Sequence, residues 1–233
     1  MSKLNLKDVT LVCVDDRSPK MASAIMSELA QDISFSDVKL FSSLDVSYVT
    51  NKISPITSLV DYNTIVIKEI HKYIDTEYCM FIQTDGYPIN IKAWTDEYYN
   101  YDYIGAPWTW VQFQARDRIC PTGGCVGNGG FSMRKLGLMK EAALYDYNPL
   151  DKDLIPKWSG NTTLIEEDTF ICRIMGEDLK AKGFRFAPCE LAEYFSVENE
   201  QYTGQFGFHG AKTIEINKRM GIFKFKDHAY ERK

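Results

Sequence analysis

Val9-Thr10-Leu11-Val12-Cys13-Val14-Asp15-Asp16-Arg17 decides the fold class. Its first six residues are rich in β-branched side chains and almost wholly apolar, the composition of a strand covered on both faces. Pro19 then opens a segment in which Met21, Ala24, Ile25, Leu29 and Ile33 recur at three-to-four spacing, so a helix follows that packs on the sheet. A short strand is expected at Val38 to Phe41. Further along, Ile65, Val66, Ile70, Tyr73 and Ile74 predict a helix over Asp61 to Ile74, with Asp61 as its cap. Tyr78-Cys-Met-Phe-Ile-Gln83 reads as a second buried strand running into Thr84-Asp85-Gly86, and a short aromatic helix is expected around Trp94 to Tyr99.

The second half continues the alternation. Tyr103 to Trp108 precedes a long loop carrying Trp110, Cys120 and Cys125. Gly127-Asn-Gly-Gly130 leads to a strand at Phe131 to Arg134 and a helix from Lys135 to Leu144. An irregular stretch, Tyr145 to Asn161, separates these from a helix over Glu166 to Lys182 and a strand-like Phe184 to Ala187. Strands alternating with helices imply a three-layer α/β/α domain around a mostly parallel sheet. With no linker or repeat in view, residues 1–233 read as one domain, with 218–233 as a peripheral tail.

An apolar content of 45% over 233 residues suffices for a full core without covalent staples. The apolar runs fall far short of the roughly 20 residues that span a bilayer, so no membrane span is expected. Met-Ser-Lys-Leu-Asn-Leu-Lys-Asp has no apolar signal core, which predicts a cytoplasmic protein with six reduced cysteines. Cys120 and Cys125 form a lone C-x4-C, two ligands short of a closed zinc site. A net charge of −5 argues against a nucleic-acid partner.

In an open α/β sheet, ligands bind beyond the carboxyl ends of the strands. Asp15, Asp16 and Arg17 lie there after the first strand, and Asp85 after Tyr78 to Gln83. A carboxylate at such a strand tip suits a hard divalent cation brought by a nucleotide diphosphate; the competing reading is a plain Asp-Gly turn. Gly129 and Gly130 either let backbone approach a sugar or phosphate or mark a simple turn. Asp168 or Glu167 would serve as a general base toward an acceptor hydroxyl. Thr163-Leu-Ile-Glu166 has the form of a capping box, which accounts for Glu166. His209, between glycines in Phe206-Gly-Phe-His-Gly210, would complete a metal site, whereas His71 and His228 read as ordinary helix and tail residues. Trp108 reads as core and Trp110 as an exposed platform for an acceptor sugar ring.

Taken together, Val9 to Arg17, Asp61-Tyr-Asn63, Gln83-Thr-Asp-Gly-Tyr87, Tyr101-Asp-Tyr-Ile-Gly-Ala-Pro-Trp108, Val126-Gly-Asn-Gly-Gly-Phe-Ser-Met-Arg134, Glu167-Asp168 with Phe170-Ile-Cys-Arg173, Phe186-Ala-Pro188 and Phe206 to Gly210 resemble a largely uncharacterised glycosyltransferase-like family. The wider resemblance is to GT-A glycosyltransferases, whose D-x-D motif holds manganese or magnesium and the donor diphosphate. Gln83-Thr84-Asp85 occupies that place, with glutamine where the first aspartate usually stands. The resemblance implies Asp85 and His209 on Mn2+ or Mg2+, Gly129 and Gly130 beside the donor sugar, and Asp168 as the base of an inverting transfer. It also implies a nucleotide pocket lined by Asp15, Asp16, Arg17 and Gln83, with Asn63 nearby. The implied partners are a nucleotide diphosphate sugar, UDP-sugar favoured, and a glycan or other hydroxyl acceptor. Two alternatives stand beside this: a sugar-phosphate nucleotidyltransferase, whose glycine-rich loop Asp15-Asp16-Arg17 does not match, and a catalytically silent nucleotide- or carbohydrate-binding module.

Overall fold

The computed structural model describes residues 3–46, 50–108, 126–151, 153 and 164–220. Two sheets organise them. The larger is built from β1 (Leu4–Val14), β2 (Ile33–Ser42), β3 (Thr50–Lys52), β4 (Tyr78–Ile82), β6 (Tyr103–Gly105) and β7 (Ser132–Lys135), in the order β3-β2-β1-β4-β7-β6. Its pairings are parallel except those of β7, which runs against both β4 and β6. The smaller sheet holds β5 (Gly86–Pro88), β9 (Gly207–His209) and β8 (Ser196–Glu198), in the order β5-β9-β8.

Alternation along the central strands creates two cores. On one face, Val9, Leu11 and Cys13 of β1 and Met80 and Ile82 of β4 pack with Ala22, Met26 and Leu29 of α1 (Pro19–Asp32). On the other, Val12, Val14, Cys79 and Phe81 pack with Ile65 and Val66 of α2 (Leu59–Lys68), Ile70 of the 3-10 turn Ile70–Tyr73, and Met139 of α3 (Leu136–Ala142). The period of two sends successive side chains to opposite faces, which is why an uninterrupted apolar run was needed. The α/β class with a mostly parallel sheet and helices on both faces is thus as expected. Among the described residues, no helix is long and apolar enough to cross a membrane.

Several local expectations are corrected. The buried stripe of α1 is Ala22, Met26 and Leu29, continued by Ile33 at the start of β2, whereas Met21 and Ile25 are half-buried and Ala24 is exposed. The apolar periodicity fixed the helix, but Ala and Met on the neighbouring stripe made its face ambiguous. The cap of α2 is Ser58, whose Oγ accepts from the Asp61 N–H at 3.2 Å; Asp61 sits three residues further on and accepts from Thr57 and Ser58. The strand expected at Val38 to Phe41 begins at Ile33. The aromatic helix is two 3-10 turns, Ile91–Ala93 and Asp96–Asn100. In place of one helix over Glu166 to Lys182 there are three pieces: α4 (Glu167–Thr169), a π turn (Phe170–Ile174) and α5 (Gly176–Ala181). Glu166 stands at the N-cap of α4 with no side-chain capping bond, so it does not take the N3 position of a capping box. Phe186 alone of Phe184 to Ala187 bridges to a strand, at Tyr103.

Two helices close the fold: α6 (Cys189–Phe195), which leads into β8, and α7 (Ala211–Arg219), which follows β9. Cys13, Cys79 and Cys172 are buried free thiols. Cys189, at the first turn of α6, is disulfide-bonded, which corrects the expectation of six reduced cysteines. That expectation rested on the amino terminus, which carries no information about which sulfurs the fold brings together.

Candidate functional site

The centre of the site is a consequence of strand register. At the end of β4, Gln83 and Gly86 exchange backbone hydrogen bonds of 2.9 and 3.1 Å, closing a tight turn over Thr84 and Asp85. The Asp-Gly turn is therefore real, but its return strand, β5, leaves the large sheet and pairs with β9. In that pairing Gly86 stands opposite His209, while on the other side of β9 Glu198 stands opposite the same histidine. The Gly210 N–H donates to the Asp85 carbonyl at 2.8 Å. Gly86, His209 and Glu198 thus stand side by side across the small sheet, with Asp85 in the turn immediately before Gly86.

The His209 ring makes contacts on both edges. Its Nδ1 lies 3.1 Å from Glu198 Oε1 and 2.9 Å from Asn128 Nδ2; its Nε2 lies 3.2 Å from Gln83 Oε1. The other end of the Gln83 amide donates to the Tyr62 hydroxyl at 2.9 Å. Burial by itself would depress the His209 pKa, but the Glu198 hydrogen bond and charge, with Asp85 and Asp168 behind them, raise it above the ordinary imidazole value. A β-carbon at position 130 would lie 2.0 Å from His209 Nε2, so only glycine leaves that nitrogen room.

Gly129 is the link to the acids. Its N–H donates to Asp168 Oδ2 at 2.9 Å, and the Thr169 N–H donates to Asp168 Oδ1 at 2.6 Å. Burial pushes the Asp168 carboxyl well above its usual range, and the charges of Glu167 and Glu166 push it further. Its neighbour behaves differently. Both Glu167 oxygens take a bidentate grip from Arg134, at 2.8 and 2.9 Å, in a pair that is almost wholly buried. Arg134 also donates to the Gly129 carbonyl at 3.2 Å and to Ser132 Oγ at 3.0 Å, with its guanidinium 4.4 Å above the Phe81 ring.

The remaining expected site residues divide by surroundings. Asn63 is buried, donating to the Leu59 carbonyl at 2.7 Å and accepting from the Glu167 N–H at 3.0 Å; it tethers the start of α4 to α2. Asp16 is committed as well, accepting from Ser42 Oγ, Ser43 Oγ, and the Ser43 and Ile56 N–H groups within 2.6 to 2.8 Å. Those bonds hold its carboxyl below the usual range despite some burial. Asp15 Oδ1 accepts from the Arg17 and Ser18 N–H groups at 2.7 and 2.6 Å, ahead of α1, and burial raises its carboxyl. Because Cys13 pairs with Ile82, Asp15 and Thr84 leave the sheet at the same edge. Trp108 is buried, with the Arg173 guanidinium 4.4 Å over its ring. Trp110, Cys120, Cys125 and Thr163 lie outside the described residues.

Among the described residues, no three His, Cys, Asp or Glu side chains are arranged to hold a metal ion. Asp85 and His209 offer one carboxylate and one imidazole, with the Gln83 amide beside Nε2. That donor set fits a hard divalent cation that takes its other oxygens from phosphate and water rather than a self-sufficient protein cage. Glu198 and Arg134 were not singled out from the sequence. Arg134 closes a quoted motif and precedes a helix, so its burial was invisible; Glu198 lies in a three-residue strand with no periodicity to mark it.

No curated protein matches the chain in sequence. A family model described as a protein of unknown function, DUF5672, matches residues 43–209, which begins directly after β2 and ends on His209. With well over half of its length covered, the chain belongs to that family.

Proposed function

We propose that this protein is a metal-dependent glycosyltransferase of the GT-A type, moving a sugar from a nucleotide diphosphate donor, UDP-sugar favoured, to a hydroxyl acceptor with inversion. The observation that carries the reading is the convergence, at one edge of the sheet, of the Gln83-Thr84-Asp85 turn, His209, the bare backbone at Gly129-Gly130 and the Asp168 carboxyl. Asp85 and His209 would hold Mn2+ or Mg2+. Bound there, the cation would neutralise charge developing on the departing diphosphate. Gly129 and Gly130 present backbone without side chains to the donor sugar. Asp168, fixed by the Gly129 and Thr169 N–H groups, takes the proton of the acceptor hydroxyl. Its raised pKa brings it nearer the working range of a general base. Glu167 is neutralised by Arg134 in an almost wholly buried ion pair, so the base is assigned to Asp168.

Calorimetric titration with uridine diphosphate, with and without manganese, tests the reading. Manganese-dependent binding is expected in the wild type and its loss in Asp85→Ala, while Asp168→Asn keeps binding and loses transfer. Donor binding by Asp85→Ala equal to wild type overturns the site. Binding with no transfer or hydrolysis across a donor and acceptor panel favours the silent module.

A further inference from the structure

Glu198 is a largely buried acid beside His209 that the mechanism above leaves without a role. The β8–β9 register sets it opposite His209, and its Oε1 lies 3.1 Å from Nδ1 while its buried Oε2 has no hydrogen-bond partner. The turn behind it is firmly built. Asn199 has a positive φ of 61° and its N–H donates to Thr213 Oγ1 at 2.6 Å; Thr213 Oγ1 in turn donates to the His209 carbonyl. Both strands that carry the pair are therefore tied to the first turn of α7.

Three neighbours compete to decide where the neutral imidazole keeps its proton. The Asn128 amide, placed with Nδ2 toward Nδ1, asks for a lone pair on Nδ1. Gln83 is indifferent: its Oε1 faces Nε2, but turning its amide over gives Nε2 a donor, and the Tyr62 hydroxyl at the far end can donate or accept. Asn128 is pinned in that orientation, because its Oδ1 accepts from the Phe131 N–H at 3.3 Å, but it is a neutral donor; the Glu198 carboxylate only accepts, and bonds to an ionised acceptor are roughly twice as strong as neutral ones.

From this geometry we infer that Glu198 is a positioning residue: it holds the proton of neutral His209 on Nδ1, so that Nε2, beside the Gln83 amide and packed against the bare Gly130 backbone, keeps its lone pair. This deepens the metal reading of the site, on which its link to ligand binding rests, but the tautomer itself does not depend on it. An acid on the far nitrogen orients the ring, and loss of such a partner typically weakens metal binding about 10–100-fold.

The test is long-range 1H–15N correlation on histidine-labelled protein at alkaline pH, where the ring is neutral. The chain has three histidines, and His71→Gln and His228→Gln assign the signals. The Nδ1–H form of His209 is expected in the wild type. Glu198→Leu is expected to shift the ring to the Nε2–H form with the His71 and His228 signals unmoved. Should the leucine variant not fold, Glu198→Asp, one methylene short of the ring, is expected to do the same. An Nε2–H ring in the wild type, or an Nδ1–H ring in both variants lacking the contact, overturns the assignment. Manganese with uridine diphosphate is then titrated into the same samples. Broadening of the His209 signals is expected at 10–100-fold higher concentration in the variant than in the wild type, and equal midpoints overturn the link to binding. Absence of broadening in the wild type sinks the donor-site reading, while the tautomer comparison still decides the role of Glu198.

Discussion

Glu167 and Asp168 are adjacent acids with different surroundings, and side-chain partners alone separate them. The Glu167 carboxylate is one half of a buried bidentate pair, and removing one partner of such a pair leaves an uncompensated charge, at a cost of about 3–5 kcal/mol. Glu167→Ala is expected to lose that much in urea unfolding, and a loss below about 1 kcal/mol, the worth of an exposed pair, would show that the Arg134 clamp is not formed. Asp168 makes stability depend on pH. Its folded-state pKa lies above the unfolded value, so between the two the folded chain binds a proton that the unfolded chain has released. Stability must fall as pH rises from about 4, the ordinary aspartate value, through the raised one. Asp168→Asn is expected to flatten that fall in Tm measured against pH. Transfer by the wild type is expected to rise across the same interval, because a base works only when ionised.

At the scale of elements, strands were easier to read than helix faces. Val9 to Val14 and Tyr78 to Ile82 are buried on both sides, so no choice of face was needed and the apolar run was enough. In α1, two neighbouring stripes both carry Ala, Ile and Met, and only contact with β1 selects Ala22 and Met26. The candidate site is legible in sequence where single residues stand at strand ends, as with Asp85, and illegible where it depends on pairing between short strands, as with Glu198. Asp16 reads as a ligand residue because a polar residue beside a strand tip looks the same in sequence whether it faces solvent or backbone N–H groups; Asn63, implied only by the resemblance, lies within α2. The start of α2 shows the same limit on a smaller scale, since Ser58 and Asp61 are both good cap residues. Loss of a serine cap costs about 0.5–2 kcal/mol, so Ser58→Ala is expected to lower stability by that amount in chemical unfolding. No change would mean that Asp61 holds the helix start unaided.

At the scale of the molecule, the site lies on the seam between two sheets, so its geometry depends on what holds them together. That is a cluster of rings. Phe131, immediately before β7, stacks on Phe195 of α6 at 4.7 Å and 9°, and Phe206, immediately before β9, lies 5.7 Å from Phe195 and 5.2 Å from Trp94. Phe206 is fully buried, its carbonyl accepts from the Ile89 and Asn90 N–H groups, and its N–H donates to the Tyr194 carbonyl. Gly129-Gly130 thus enters the site from one side of this cluster and His209 from the other, each within three residues of a packed ring. Phe206→Ala should cost about 3–5 kcal/mol, the usual range for deleting a buried phenylalanine. The location of the loss is the sharper expectation. Amides of β5, β8 and β9 should exchange with deuterium faster in the variant, while those of β1 and β4, which keep their packing on α1 and α2, should change only as far as global stability requires. Manganese-dependent nucleotide binding should weaken with the small sheet, because His209 shifts relative to Gly130. Uniform acceleration across both sheets would mean that the two unfold as one cooperative unit, with no separate seam for the site to depend on.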